Sequence, residues 1–223
     1  MTDYTFAMPE FADNPEPRAA MVILIDQSPS MSGQKLALAQ EGLNLFIHDL
    51  QQDSLASKRA EVSVVGFGGR TETKTVFVTP DQLEPMTLDI ISGGTATSQA
   101  VTEALDALES RKATYRTNGV AYYRPWVVLI TDGEPTDSSE AYRQVCARVR
   151  QLETNGSVVF MGLGVEGADM HKLAQLSARP PMPLRDVASF REFFLWLSAS
   201  LKAVSQSRVG DRVNLPPMDW HSI

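Results

Sequence analysis

Met21-Val22-Ile23-Leu24-Ile25-Asp26-Gln27-Ser28-Pro29-Ser30 joins five consecutive apolar residues to an aspartate and two serines spaced two apart. A run that is apolar at every position, with no polar alternation, reads as a strand buried on both faces, the condition of a parallel sheet covered by helices. The run stops at Asp26, and from Lys35 the period changes. Leu36, Ala39, Leu43, Ile47 and Leu50 fall at three- and four-residue spacings and form one face of a helix. The same phrase recurs downstream: Trp126 to Ile130 is continuously apolar, stops at Thr131-Asp132-Gly133, and is followed by the helical stripe Tyr142, Val145, Val149 and Leu152.

Working outward, Glu61 to Phe67 reads as a second strand, Gly66, Gly68 and Gly69 as the turn after it, and Lys74 to Thr79 as its hairpin partner. A loop carrying Pro85 and Ile91-Ser92-Gly93-Gly94-Thr95 leads to a helix with the stripe Val101, Ala104, Leu105 and Leu108. Ser157 to Val165 continues as a strand, Met170 to Leu176 as a short helix and Met182 to Leu184 as a last strand. Phe190, Phe193, Phe194, Leu197, Leu201 and Val204 mark a final helix. Buried strands alternating with amphipathic helices specify an α/β fold of three layers, with helices on both faces of a doubly wound, mostly parallel sheet. Residues 1–19 read as an extended proline-bearing arm, 20–206 as one domain, and 207–223 as a tail whose Trp220 is expected to pack back onto the domain.

Composition bounds the function. The chain has 223 residues, 43% of them hydrophobic, which is enough for one substantial core. A formal charge of -7 argues against a nucleic-acid groove or a membrane surface, because the summed field repels both. Cys146 is the single cysteine, so neither an internal disulfide nor a cysteine-based zinc site can be built from this chain. The N-terminal stretch lacks a basic segment followed by an apolar one, and no apolar run reaches the roughly 18 residues of a membrane span, so a cytoplasmic location is expected.

In a doubly wound sheet, ligands collect beyond the carboxyl ends of the strands where the winding reverses. Asp26 and Asp132 both stand at strand ends. Asp26, Ser28 and Ser30, at two-residue spacing in a tight loop, can aim three oxygens at one spot, and Thr95 follows a glycine that allows close backbone approach. Five hard oxygen donors without histidine or cysteine suit Mg2+, Mn2+ or Ca2+. Neutral hydroxyls leave such an ion electrophilic and in want of one more anionic ligand, which a carboxylate from a partner protein can supply. Taken singly, Asp26, Ser28 and Ser30 are also the residue types that make turns and helix caps. The ordered set with Gly-Gly-Thr and Thr-Asp-Gly is what favours a cation.

Ile25 to Gly33, Gly93-Gly94-Thr95-Ala96-Thr97 and Thr131-Asp132-Gly133-Glu134 resemble the metal-ion-dependent adhesion site of von Willebrand factor A domains, over about residues 20–205. Phe11-Ala12-Asp13-Asn14-Pro15-Glu16-Pro17-Arg18, Tyr122-Tyr123-Arg124-Pro125-Trp126 and the continuation Pro135-Thr136-Asp137 are similar to TerY-type proteins of bacterial tellurium resistance. The resemblance implies six strands with one antiparallel edge strand. It implies Ser28, Ser30 and Thr95 as direct ligands, and Asp26 and Asp132 as ligands directly or through water. It also implies a final helix able to move with ligation, and partners among tellurium-resistance phosphatase or kinase proteins. Gln27 and Pro29 depart from the usual small residues and glycine, and stiffen the loop without removing a donor.

Other candidates carry less. His48, His171 and His221 are too scattered to assemble a site, and Cys146 lies on the apolar stripe of its helix. Gly66-Phe67-Gly68-Gly69 lacks the lysine and serine of a phosphate loop. Asp26-Gln27-Ser28 has serine where an aspartyl-phosphate motif needs its second acid, which removes most of the case for hydrolysis. A metal-dependent phosphate-ester hydrolase, motivated by the same acidic cation site, is the alternative to a non-enzymatic interaction module. Asp137 and Glu140 are expected to favour the start of the next helix. Arg111, Lys112, Arg116 and Arg124 read as a basic loop, solvated by default.

Overall fold

A computed structural model describes residue 11 and residues 13–217. Trp220 and His221 lie outside the described residues. The chain forms β1 (Ala19–Asp26), α1 (Gln34–Gln51), the single turn α2 (Ala56–Arg59), β2 (Ala60–Phe67), β3 (Thr71–Val78), α3 (Thr97–Thr117), β4 (Trp126–Thr131), α4 (Ser139–Thr154), β5 (Val159–Val165), α5 (Met170–Leu176), β6 (Met182–Leu184) and α6 (Val187–Gln206). The strands make one sheet in the order β3-β2-β1-β4-β5-β6, parallel except for β3, which runs antiparallel to β2 at the edge.

Each residue of β1 is buried, and alternation sends its side chains to two different cores. Met21, Ile23 and Ile25 face α1 and α6 together with Leu43, Phe46, Phe193 and Phe194. Val22 and Leu24 face α3 and α4 with Val101, Leu105, Tyr142 and Val149. This double burial is the reason the strand reads as unbroken apolar sequence. Both sheet edges are blunted. β3 is half-exposed, carries Glu72 and Lys74, and pairs through register shifts, while β6 has three residues with Pro183 at its centre.

The final helix is tied to the first. Gly42 of α1 leaves room for the Phe194 ring, which an added Cβ would approach to 2.2 Å. Asp49 accepts hydrogen bonds from Lys202 Nζ at 2.6 Å and from Ser198 Oγ. Burial pushes the Asp49 carboxyl up, but the hydrogen bonds from Lys202 and Ser198 and the lysine's charge outweigh it and hold the group below its ordinary value. A carboxyl depressed in the folded state contributes stability above its unfolded pKa and loses it as pH falls through the folded value. Accordingly, the thermal stability advantage of the wild type over Asp49→Asn should shrink as pH is lowered through the carboxylate range, as read from thermal denaturation across pH. A constant difference would show that the clasp is electrostatically neutral.

Of the basic residues before β4, Arg111, Lys112 and Arg116 are helical and Arg124 lies in the loop. Arg111 and Lys112 lie on α3; Lys112 is buried and pairs with Glu109, and Arg111 reaches across to Glu61 of β2. The N-terminal arm is likewise engaged rather than free over its described part. Phe11 is buried, with the guanidinium groups of Arg18 and Arg111 over its ring at 5.3 and 5.1 Å from the centre. In the tail, the Pro216 carbonyl accepts from Trp196 Nε1 at 2.9 Å.

Candidate functional site

The winding reverses between β1 and β4, which lie side by side with Ile25 opposite Ile130. Asp26 is therefore one residue past that pair on β1, and Asp132 two past it beyond β4. Both stand at the carboxyl ends of neighbouring strands where three loops meet. Residues 105 positions apart are coupled there: Thr131 Oγ1 donates to Asp26 Oδ2 at 2.5 Å.

The five oxygen-bearing side chains come together. Asp26 Oδ1 accepts from the Ser28 backbone N–H at 2.9 Å, which closes the loop over the strand end. Ser28 Oγ and Ser30 Oγ are hydrogen-bonded at 3.0 Å, and Ser30 Oγ donates to Asp132 Oδ1 at 2.8 Å. Thr95 Oγ1 and Asp26 Oδ2 lie 3.0 and 3.4 Å from where a Cβ on Gly133 would stand, so Gly133 leaves the space that both oxygens border. Thr95 is held in place from both sides of its backbone: its N–H donates to Thr136 Oγ1 at 2.9 Å, and its carbonyl accepts from the Thr136 N–H at 3.0 Å. Gly94 is required by the same contact, since a Cβ there would come within 2.3 Å of Thr136 Oγ1. Ser30 is exposed at the rim, whereas Asp26, Ser28, Thr95 and Asp132 are buried.

Electrostatically the site is a pair of carboxylates short of solvent. Burial pushes the Asp26 carboxyl up; hydrogen bonds from Ser28 and Thr131 pull against it, and the neighbouring Asp132 adds to the rise. A buried carboxyl beside another carboxylate gains from a cation more than an exposed one does. Among the described residues no three His, Cys, Asp or Glu side chains gather into a metal cluster, so an ion bound here would have to draw on hydroxyls as well. Oxygen donors of this kind, two anionic and the rest neutral, fit a hard divalent ion.

Several participants were not singled out from the sequence. Thr131 and Thr136 support Asp26 and Thr95. The buried Gln27 ties the loop to its neighbours, its Nε2 donating to the Asp89 carbonyl at 2.7 Å and its backbone N–H to the Phe67 carbonyl at 2.6 Å. Gly66 is glycine because a Cβ would fall 1.6 Å from Gln27 Oε1. Lys35 makes an ion pair with Asp132 Oδ2. Its signal was available, because a lysine in the first turn of a helix opposes the helix dipole and calls for an anion nearby.

The acidic residues after Asp132 disperse. Asp137 Oδ2 accepts from the Ser98 N–H at 2.8 Å, so it serves the start of α3 rather than α4, whose cap is Ser138. Glu134 pairs with Lys172 and Glu140 with Arg143. Cys146 is buried with its thiol pushed up by burial, and His48 stands in the last turn of α1 and His171 in the first turn of α5. A cavity of about 1170 Å³ lies elsewhere, lined by Tyr122, Trp126, Val159, Met182, Trp196 and the tail residue Pro216. Trp126 and Val159 are the first residues of β4 and β5, so this cavity is at the strand ends opposite to the five oxygens.

Comparisons agree with the topology. Among solved structures, the chain is similar to a von Willebrand factor type A protein from Catenulispora acidiphila at 19% identity and TM-score 0.64, over 84% of this chain and 43% of that one. It is similar to the pilus adhesin SpaC from Lactobacillus rhamnosus GG at 13% identity and TM-score 0.66, over 86% of this chain and 31% of that one. The vWF domain of the type V pili tip protein Mfa5 from Porphyromonas gingivalis matches at 13% identity and TM-score 0.58, over 88% and 99%. The chain thus spans less than half the length of the first of these structures. A search of curated proteins finds no significant match. The family profile described as von Willebrand factor type A domain matches residues 20–195, and the chain belongs to that family.

Proposed function

We propose that the chain is a non-enzymatic protein-interaction module in which Asp26, Ser28, Ser30, Thr95 and Asp132 hold Mg2+, or Mn2+ or Ca2+ in its place, and a partner's aspartate or glutamate completes the coordination. The observation that carries this reading is the convergence of those five side chains at the ends of β1 and β4, linked through Ser28, Ser30 and Asp132 by hydrogen bonds of 3.0 and 2.8 Å. With hydroxyls as its other donors and Lys35 already paired with Asp132, the two carboxylates leave a divalent ion with net positive charge to offer a partner's anion. The exposure of Ser30 supports an open side of the sphere that an approaching protein could reach. On this reading the module works in a bacterial tellurium-resistance or chemical stress response, with phosphatase or kinase proteins of such systems as partners. What supports it is the resemblance of Phe11 to Arg18 and Tyr122 to Trp126 to TerY-type proteins.

The test is a titration of each cation followed by partner capture. At about a hundred times its Kd, Mg2+ or Mn2+ should raise the wild-type melting temperature by about 5–10 °C and leave Asp132→Ala unmoved. Chelation should then release the partner. Partner binding that survives chelator would overturn the reading, and Mn2+-stimulated turnover of a phosphate ester, lost in Asp132→Ala, would replace it with a hydrolase.

A further inference from the structure

Lys35 occupies the first turn of α1, where no acidic residue accompanies it and the helix dipole repels its charge. What holds the ammonium there is Asp132. Lys35 Nζ donates to Asp132 Oδ2 while Ser30 Oγ donates to Oδ1 at 2.8 Å, so both oxygens of the carboxylate are engaged. The Asp132 side chain is 1% exposed and that of Lys35 29%, which leaves the lysine a solvent-side path away from the carboxylate. From the loop after β5, Gly167 presents no side chain, and a Cβ there would stand 3.9 Å from Nζ.

We propose that Lys35 is a tethered counter-cation that makes cation binding depend on the partner's carboxylate. The proposal rests on the reading of these residues as a cation site. Asp26, Asp132 and Lys35 together carry one formal negative charge. A divalent ion entering beside the ammonium turns the group positive by one, and an added carboxylate returns it to neutral. Without Lys35 the ion alone would reach neutrality and the carboxylate would be surplus. Lys35 therefore weakens the bare ion and favours the ion and carboxylate together, so the site loads on encounter rather than in advance. Lys35 acts as a positioning and charge-setting residue, not as a ligand.

The experiment uses the full chain as wild type, Lys35→Met and Lys35→Arg, with Mn2+ alone as the probe and free Mn2+ counted by electron paramagnetic resonance, with and without acetate. Lys35→Met should bind Mn2+ roughly tenfold tighter than wild type, the order expected for removing one nearby positive charge from a partly solvated site. Lys35→Arg should stay close to wild type, which a merely steric role for the lysine would not require. Acetate should tighten Mn2+ binding to wild type and Lys35→Arg and do little for Lys35→Met. Equal Mn2+ affinity in wild type and Lys35→Met, or equal acetate effects, would overturn the role of Lys35 and leave the cation site standing. Absence of saturable Mn2+ binding in all three proteins would overturn the cation reading, and this inference with it.

Discussion

Glu61→Ala should destabilise the fold by about 3–5 kcal/mol, the cost of removing one partner from a buried charge cluster. Glu61 is 2% exposed at the start of β2. Its Oε1 accepts from Arg18 Nε at 2.8 Å and Arg111 Nη2 at 3.0 Å, and its Oε2 from Arg111 Nε at 2.7 Å and from the Tyr115 hydroxyl. The carboxylate thus joins the entry to β1, the body of α3 and the buried Tyr115. Burial, followed by the charge of Glu61, drives the Tyr115 hydroxyl far above its ordinary value and keeps it a donor. With the carboxylate gone, two guanidinium groups that both lie against the Phe11 ring lose their shared counter-charge, and a buried phenol loses its acceptor. Urea denaturation measures the loss as a lowered midpoint at unchanged slope. A change below about 1 kcal/mol would mean that the cluster is solvated and exchanges its partners freely.

Asp26→Asn should abolish the cation response while sparing the fold. An asparagine retains an oxygen to accept from the Ser28 N–H, which Asp26 Oδ1 now does at 2.9 Å, and a side chain of the same size for a fully buried position. It removes the negative charge, and it relieves the burial and the repulsion from Asp132 that raise the Asp26 carboxyl. Loss of mere supports of metal ligands weakens affinity about 10–100-fold, so loss of a charged member of the set should weaken Mn2+ binding by at least roughly a hundredfold. Calorimetric titration of Mn2+ reads this directly, with the cation-free melting temperature as the control for folding. Retained affinity would remove Asp26 from the set.

Much of this architecture was legible because its strands are buried on both faces. β1 and β4 have no polar alternation to obscure them, and the short elements Met170–Leu176 and Met182–Leu184 fall where periodicity placed them. β3 was harder. It begins at Thr71 rather than Lys74, because Thr71-Glu72-Thr73-Lys74, at the sheet edge with Thr73 exposed, carries little apolar signal. Arg111 and Lys112 were misread as loop because charge was taken for solvation. Lys112 is buried with its ammonium paired to Glu109, and Arg111 serves a carboxylate fifty positions away.

The sequence by itself determined the strand and helix order, and with it the five oxygen-bearing side chains at strand ends, because local periodicity and loop composition are properties of neighbouring residues. Only the tertiary structure decided how the charges pair. Lys35 and Asp132 are 97 positions apart, and Arg18 and Glu61 are 43 apart. The dipole at the first turn of α1 signals that Lys35 calls for an anion, but no local pattern says which carboxylate it meets. That choice follows from sheet order: β4 beside β1 brings Asp132 to the first turn of α1, and β2 on the other side brings Glu61 to Arg18.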